Sequence, residues 1–433
     1  MIKNIAVISL GCDKNRVDTE TMLYNLASAG KDYVIVNDYS LADAIIVNTC
    51  AFIESARVEA IETILEMAEY KKDRCKKLIV TGCLPQKYLS ELTSDLPEVD
   101  AFLGIDEYEK IASLLDSESG VANQNDSNPC KRVLTTPAHY AFLKIADGCN
   151  NHCTFCTIPS IRGAYRSRPI EELVKEAQAL ASKGVSELIL VAQDVTSYGK
   201  DLFNEPSLIR LLAELEKTDI TYIRLMYCYP ELVTDDLIKF VANSKKVLHY
   251  MDIPLQHVSD PVLKRMGRRS SKTAICEMFT KLRNSIPDIA IRTTMMVGFP
   301  GETDDQFDEL YDFVKEYKPD HMGIFAYSKE EGTPSAKLKG HLTKAVKVKR
   351  LNKLGKLNAE NCLNRNKNFI GKIVDVIYED IDYDKGLFVG RTLLDAPEID
   401  GNVYFSGEFA DVGTVYKVKI TDCDEYDLFG ELV

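Results

Sequence analysis

The sequence predicts an α/β protein in three parts: an N-terminal parallel-sheet α/β domain, a central partial (β/α)6 barrel and a small antiparallel β-barrel at the C-terminus. Three observations carry that prediction. Short apolar runs alternate with amphipathic helical stretches over residues 1–120 and again over 137–367, the pattern of parallel strands joined by helices. Between them, "SESGVANQNDSNPCKRVLT" has no hydrophobic period and is rich in Ser, Asn, Asp and Gly, so residues 121–136 read as a linker. From residue 368 the helical pattern stops, and short β-type runs separated by Gly and Asp replace it.

In the first part, "NIAVISL", "YVIVN", "AIIVNT", "KLIVTG" and "VDAFLG" read as strands. Between them, "VDTETMLYNLASAG" and "ESARVEAIETILEMAEY" carry apolar residues at helical spacing. The central strands are "AFLKIAD", "ELILVAQDV", "YIRLMYC", "HYMDIPL", "AIRTTMMVGF" and "HMGIFAY", separated by helices such as "IEELVKEAQALASKG" and "DDQFDELYDFVKEY". Six such units make an open version of the parallel α/β barrel, whose chemistry belongs at the strands' C-terminal ends. Residues 337–367 form a basic helix with ten Lys/Arg against one Glu, read as a solvated face packed against the barrel, with a surface for RNA as the alternative. In the last part, "GKIVDVIYED", "GLFVGRT", "GNVYFSG" and "GTVYKVKITD" read as the strands of the small barrel.

At 433 residues the chain is too long for one core, and 45% hydrophobic with 27% charged residues describes a folded protein. The apolar opening "MIKNIAVISLG" is too short for a secretion signal or a membrane span, so a cytoplasmic protein without membrane contact is expected. A net charge of −13 disfavours a general nucleic-acid binder. Residues 368–433 hold fifteen Asp/Glu against five Lys/Arg, a net of −10. Such a barrel repels phosphate backbones and attracts a basic protein.

Twelve cysteines in a cytosolic chain are thiolate ligands, nucleophiles or small core residues rather than a disulfide framework. Three of them, Cys149, Cys153 and Cys156, fall within eight positions of "DGCNNHCTFCTIP". A structural zinc site needs a fourth ligand, and no second knuckle follows. A redox Cys-x-x-Cys pair would leave Cys149 unexplained. Three thiolates on one loop can instead hold three corners of a four-iron, four-sulfur cube, leaving one iron open to a substrate. A second set is dispersed: Cys12, Cys50 and Cys83 each fall just past the end of a predicted parallel strand, along the edge where α/β folds bind ligands. Each alone could be a buried core thiol; three in the same placement point to convergence. Cys75, Cys130, Cys228, Cys276, Cys362 and Cys423 do not share that placement and read as core or surface thiols.

"GCNNHCTFCTIPSIRGAYRSR" after the first barrel strand resembles the signature of the radical S-adenosylmethionine (SAM) enzymes. With "SLGCDKNRVDTE", "VNTCAFI", "TGCLPQ", "IPLQH" and "VGFPGET" in order, nearly the whole chain resembles the methylthiotransferase family, and within it the aspartate-modifying, RimO-like branch. "SLGCDKNRVDTE" and the His257 of "DIPLQH" are the features shared with that branch. The resemblance implies a C-terminal TRAM barrel and two 4Fe-4S clusters. One, on Cys149, Cys153 and Cys156, would cleave SAM to a hydrogen-abstracting radical. The other, on Cys12, Cys50 and Cys83, would hold the sulfur to be methylated and inserted. The implied substrate is an aspartate β-carbon of the basic small-subunit ribosomal protein twelve, and an electron donor is required.

The SAM site is expected at strand ends: Phe155 against the adenine, Gln193 and Asp194 after the second strand, Gln256 and His257 after the fourth, Gly298 and Glu302 after the fifth. Turn geometry explains the glycine equally well. Arg162, Arg166 and Arg168 read either as carboxylate-positioning groups or as solvated charges. Two other functions stay open at this level. One is methylthiolation of a tRNA adenosine, which the acidic barrel and His257 oppose. The other is a non-catalytic iron–sulfur carrier or scaffold, for which a six-unit barrel is unnecessary.

Overall fold

The structure is a computed structural model that describes residues 2–115, 130–407 and 411–433. Its first sheet is parallel, in the order β2-β1-β3-β4-β5, from β1 (Asn4–Ser9), β2 (Val34–Ile35), β3 (Ala44–Thr49), β4 (Lys77–Gly82) and β5 (Ala101–Leu103). Helices α1 (Asp13–Ala27), α2 (Glu54–Glu69), α3 (Cys83–Asp95) and α4 (Ile111–Leu115) belong to it. The central strand β3, "AIIVNT", is buried at every position because both faces are covered. Ile45 and Val47 enter one core with Ala60, Ile64 and Met67 of α2, while Ala44 and Ile46 enter the other with Leu26 of α1 and Ile111 of α4. Each such aliphatic side chain contributes about 1.5–3 kcal/mol on burial. The run "YVIVN" yields only the two exposed residues of β2, since an edge strand has a partner on one side alone.

The central sheet is open and runs in chain order: β6 (Tyr140–Lys144), then β9 (Glu187–Val191), β10 (Tyr222–Leu225), β11 (Val247–Asp252), β12 (Ala290–Val297) and β13 (His321–Ala326). The short strands β7 (Ala146–Asp147) and β8 (Arg166–Ser167) pair separately, on either side of the segment with the cysteine loop and α5 (Ile158–Arg162). The helices between later strands are α6 (Ile170–Ala181), α7 (Lys200–Phe203), α8 (Leu208–Leu215), α9 (Asp235–Asn243), α10 (Asp260–Met266), α11 (Lys272–Ser285) and α12 (Asp304–Tyr317). Helix α12 starts at a capping box between Thr303 and Gln306.

The basic stretch is one helix, α13 (Lys344–Lys367), packed on α12 and β13. Part of its charge is spent internally. Buried Arg350 pairs with Glu302 (2.7 Å) and Asp304 (2.7 Å), and Lys353 with Asp308 (2.9 Å). The C-terminal barrel is closed in the order β14-β15-β16-β18-β17, from β14 (Ile373–Asp382), β15 (Leu387–Thr392), β16 (Val403–Ser406), β17 (Val415–Cys423) and β18 (Leu428–Leu432). It departs from the expected antiparallel barrel in one respect: β18, a short terminal strand outside the four predicted runs, closes it by pairing parallel to β16. Arg391, on β15, is buried between Glu187 of β9 and Glu379 of β14, and Arg224 reaches the same Glu187 at 2.6 Å.

The chain packs as two compact units. One comprises Met1–Thr136, Phe142–Asn150 and Cys156–Arg166; the other Pro137–Ala141, Asn151–Phe155 and Ser167–Val433. Of the expected linker, residues 121–129 lie outside the described residues. Residues 130–136 are pinned to α1: Val133 N–H donates to the Glu20 carbonyl (3.1 Å) and Thr135 N–H to the Glu20 carboxylate (2.8 Å). Cys130 is fully buried there.

Candidate functional site

In the first unit the ends of β1, β3 and β4 carry Cys12, Cys50 and Cys83. Two glycines let these ends meet. Gly11 has φ +91°, and a Cβ there would stand 2.6 Å from Cys50 Cβ. Gly82 has φ +97°, and a Cβ there would stand 2.3 Å from Asn48 Oδ1 and 2.6 Å from the Thr49 carbonyl. Only glycine fits both the left-handed backbone and the close approach. Cys12 is the N-cap of α1, Cys83 is the first residue of α3, and Cys50 stands four residues before α2. Helix N-termini favour thiolate over thiol.

Burial works the other way. It pushes the Cys83 thiol up to about 12, with Arg162 opposing the shift and Cys12 and Cys50 reinforcing it. Cys50 is raised chiefly by burial and further by Cys12. Cys12 thus lies near enough to act on both Cys50 and Cys83, which places the three together. Among the described residues no three ligand-type side chains close on one point as a single ion requires; zinc, for example, draws sulfurs to about 2.3 Å.

Asn15 stitches the strand ends, its Nδ2 donating to the carbonyls of Leu10 and Thr49, each at 2.9 Å. Asn48 donates to the Asn15 carbonyl (2.9 Å) and to Thr19 Oγ1 (2.8 Å). Arg162, from α5, is buried beside them. Its Nη2 lies 2.9 Å from Asn15 Oδ1, 2.9 Å from Asp18 Oδ2 and 3.6 Å from Cys83 Sγ, while Nη1 lies 2.8 Å from Asp147 Oδ2. Lys144 contacts both Asp18 and Asp147. Burial alone would raise Asp147, but Lys144 and Arg162 outweigh it and hold the carboxyl far below its usual range. Arg162 is thus neither a solvated charge nor free for a cofactor carboxylate. Arg166 is exposed beside Asp106 (3.3 Å), and Arg168 pairs with Glu176 (2.7 Å).

The compact triad lies on the loop between β7 and α5, and all three thiols are half-exposed. Cys149 and Cys156 pack with the first unit, where Cys149 N–H donates to the Gly163 carbonyl (3.1 Å) and Ile158 N–H to Cys156 Sγ (3.5 Å). Cys153 packs with the second unit. Its Sγ is 3.4 Å from the Tyr229 hydroxyl and 3.9 Å from Arg268 Nη1, and the Arg268 guanidinium lies over the Tyr229 ring, 3.9 Å from its centroid. Thr154 is fixed by its N–H to the Met266 carbonyl (2.8 Å) and its hydroxyl to the Arg265 carbonyl (2.8 Å).

The other candidate residues, all in the second unit, fall in two groups. Phe155 packs edge-on to Phe299 at 6.4 Å, and half-buried Gln193 sits beside Asp194 on the turn after β9. Gln256, after β11, holds a left-handed φ of +72° while its N–H and C=O bond to Thr294 and Met296 of β12 (2.8 and 2.7 Å). Strain of this kind in a non-glycine residue, at a strand's C-terminal end, is a mark of functional positions. The second group is spoken for by the protein itself. Asp194 accepts from Asn151 Nδ2 (2.7 Å), Ser197 Oγ (2.6 Å) and Thr196 Oγ1 (2.5 Å). Glu302 caps the turn after β12 by accepting from Gly298 N–H (2.6 Å) and Phe299 N–H (3.0 Å), with Arg350 on its other oxygen. His257 is fully buried; its Nδ1 accepts from Ser259 N–H (3.0 Å), and burial lowers its pKa to about 3, so the ring is neutral.

Sequence reading passed over Asn15, Asp18, Lys144, Asp147, Tyr229 and Arg268. Lys14, Asn15, Asp18 and Thr19 of "CDKNRVDTE" are buried on α1 and need partners, but in the sequence their pattern resembles a solvent face. Both triads fit an iron–sulfur cluster by their donor chemistry. Three cysteines converge at three strand ends, two of them at helix N-termini, with a guanidinium on one sulfur, and three more share one loop with a guanidinium on Cys153.

Comparison with known proteins bears on the whole chain. The Radical SAM superfamily profile matches residues 143–314, that of Uncharacterized protein family UPF0004 residues 4–104, and the TRAM domain profile residues 370–433. The ribosomal protein uS12 methylthiotransferase RimO of Acetivibrio thermocellus is 46% identical, covering 100% of this chain and 99% of its own. The chain belongs to the RimO family. A second member with the same name, from Thermoanaerobacter sp., is 47% identical over 99% of this chain and 100% of its own. Solved structures show the fold in more distant proteins. The radical SAM methyltransferase TsrM of Kitasatospora setae superposes with a TM-score of 0.59 at 12% identity over 77% of each chain. The cobalamin-dependent SAM radical enzyme OxsB superposes with 0.51 at 13% identity over 82% of this chain and 56% of its own. The three-part α/β architecture expected from the sequence is the one observed. Among the described residues no helix is long and apolar enough to cross a membrane.

Proposed function

We propose that the chain inserts a methylthio group at the β-carbon of an aspartate in ribosomal protein uS12. The observation that carries this reading is full-length identity of 46–48% to proteins named for that activity. Cys149, Cys153 and Cys156 would hold one 4Fe-4S cluster with an open iron for SAM, and Cys12, Cys50 and Cys83 a second. When bound, the first cluster and SAM supply the hydrogen-abstracting radical, and the second holds the sulfur that becomes the methylthio group. The protein's own share is placement. Arg268 and Tyr229 fix Cys153, Gln256 holds a strained backbone after β11, and Gly11 and Gly82 let the dispersed thiols approach.

The barrel's charge supports a protein substrate. Buried Arg391 and Asp395 are taken up by internal pairs, and the four lysines of the barrel still face an excess of acidic residues, a surface that attracts a basic ribosomal protein and repels RNA. Internal pairing of Arg350, Lys353 and Arg365 on α13 reduces the alternative RNA surface. The reading places the enzyme in the cytoplasm with an electron donor as a further partner. The test is a reaction of the reconstituted full chain with reductant, SAM, sulfide and purified uS12. A methylthio mass increment on one uS12 aspartate is expected; its absence alongside modification of tRNA adenosine would reject the substrate.

A further inference from the structure

Arg162 is the centre of a buried charge network that no step above uses. Two cations, Arg162 and Lys144, face two carboxylates, Asp18 and Asp147, and the Tyr108 hydroxyl donates to Asp18 at 3.2 Å. The set is neutral before any thiolate forms. The two protons of Arg162 Nη2 are shared by three acceptors, Asn15 and Asp18 at 2.9 Å and Cys83 Sγ at 3.6 Å. Its other amino group holds Asp147, two residues ahead of Cys149, and Arg162 itself stands six residues after Cys156. A single guanidinium therefore binds one ligand of the dispersed triad to both ends of the loop that carries the compact one.

We infer that Arg162 is a positioning residue for the cluster on Cys12, Cys50 and Cys83, donating to the Cys83 thiolate and setting that cluster's reduction potential. The inference rests on the reading that these three cysteines hold a cluster. A buried positive charge hydrogen-bonded to a cluster sulfur favours the reduced, more negative state and so raises the potential. Asp18 competes for the same amino group and carries the opposite charge. Removing Arg162 and removing Asp18 should therefore move the potential in opposite directions, which loss of packing would not do.

The experiment uses the full chain with Cys149, Cys153 and Cys156 replaced by alanine, so that only the dispersed triad can bind iron. Iron per chain and the midpoint potential, from an EPR-monitored redox titration, are measured for this parent and for R162Q, R162K and D18N. The parent should hold about four irons. R162Q should shift the midpoint to a more negative value, R162K should shift it less in the same direction because lysine keeps the charge without the fork, and D18N should shift it to a more positive value. A parent without iron would reject the cluster reading itself. A parent with iron whose midpoint is unchanged in both Arg162 variants would overturn the Arg162 inference alone. Should R162Q fail to assemble, R162K and D18N decide it, and shifts of the same sign overturn it.

Discussion

The two cysteine triads, to which the proposed function gives similar chemistry, are assembled by opposite routes. Cys149, Cys153 and Cys156 share one half-exposed loop, so chain connectivity keeps them near one another. Cys12, Cys50 and Cys83 come from three strands, and Cys50 and Cys83 are buried; their meeting depends on the parallel register of β1, β3 and β4 and on two glycines. A loop site tolerates changes in the sheet beneath it, whereas a dispersed site is only as good as the fold that assembles it.

Substitutions that address one triad at a time test this contrast most severely. Cys153→Ala should abolish 5′-deoxyadenosine formation, measured by chromatography of the quenched reaction. Cys50→Ala should abolish the methylthio product in mass spectra while SAM cleavage continues. Loss of SAM cleavage in Cys50→Ala would contradict the separation of roles.

Smaller effects sharpen the comparison. Arg350→Met leaves Glu302 buried and unpaired under the turn after β12. It should cost about 3–5 kcal/mol in denaturant titration without changing the iron held by the dispersed triad. Gly82→Ala forces a Cβ against Asn48 and a left-handed alanine. A loss of roughly 3 kcal/mol is expected, and here iron at the dispersed triad should fall with it. A Gly82→Ala protein of full stability and iron content would remove the steric argument for convergence.

The weakest effect is a pH dependence. His257 has a folded pKa of about 3 against an unfolded value of about 6.5, so the unfolded chain binds the proton first as pH falls. The stability it contributes is complete above pH 6.5 and is lost toward pH 3; at pH 5 the loss is about 2 kcal/mol. Equilibrium unfolding at pH 7 and 5 should show a shallower decline in His257→Gln than in the parent chain.

Much of this was legible in the sequence, for physical reasons that differ by region. The compact triad is a local spacing and needs no fold to be seen. The dispersed triad was visible because parallel strands end on one edge, so three cysteines after three strand-like runs imply proximity. Arg162 was not legible as a partner of Cys83: its role depends on where α5 packs, and the residues that receive it, Asn15 and Asp18, sit in a helix whose polar residues resemble a solvent face. The start of α1 was hidden likewise, since the reading opened that helix at Val17 while buried polar pairing extends it back to Asp13. Strand β18 escaped because "LFGEL" is short and is held by pairing to two neighbours rather than by its own pattern.

Iron analysis of the reconstituted full chain and its Cys50→Ala variant tests the central claim most directly. Two separate three-cysteine sites predict about eight irons per chain, falling to about four in Cys50→Ala with the SAM-cleaving cluster intact. An iron content unchanged by Cys50→Ala would contradict it.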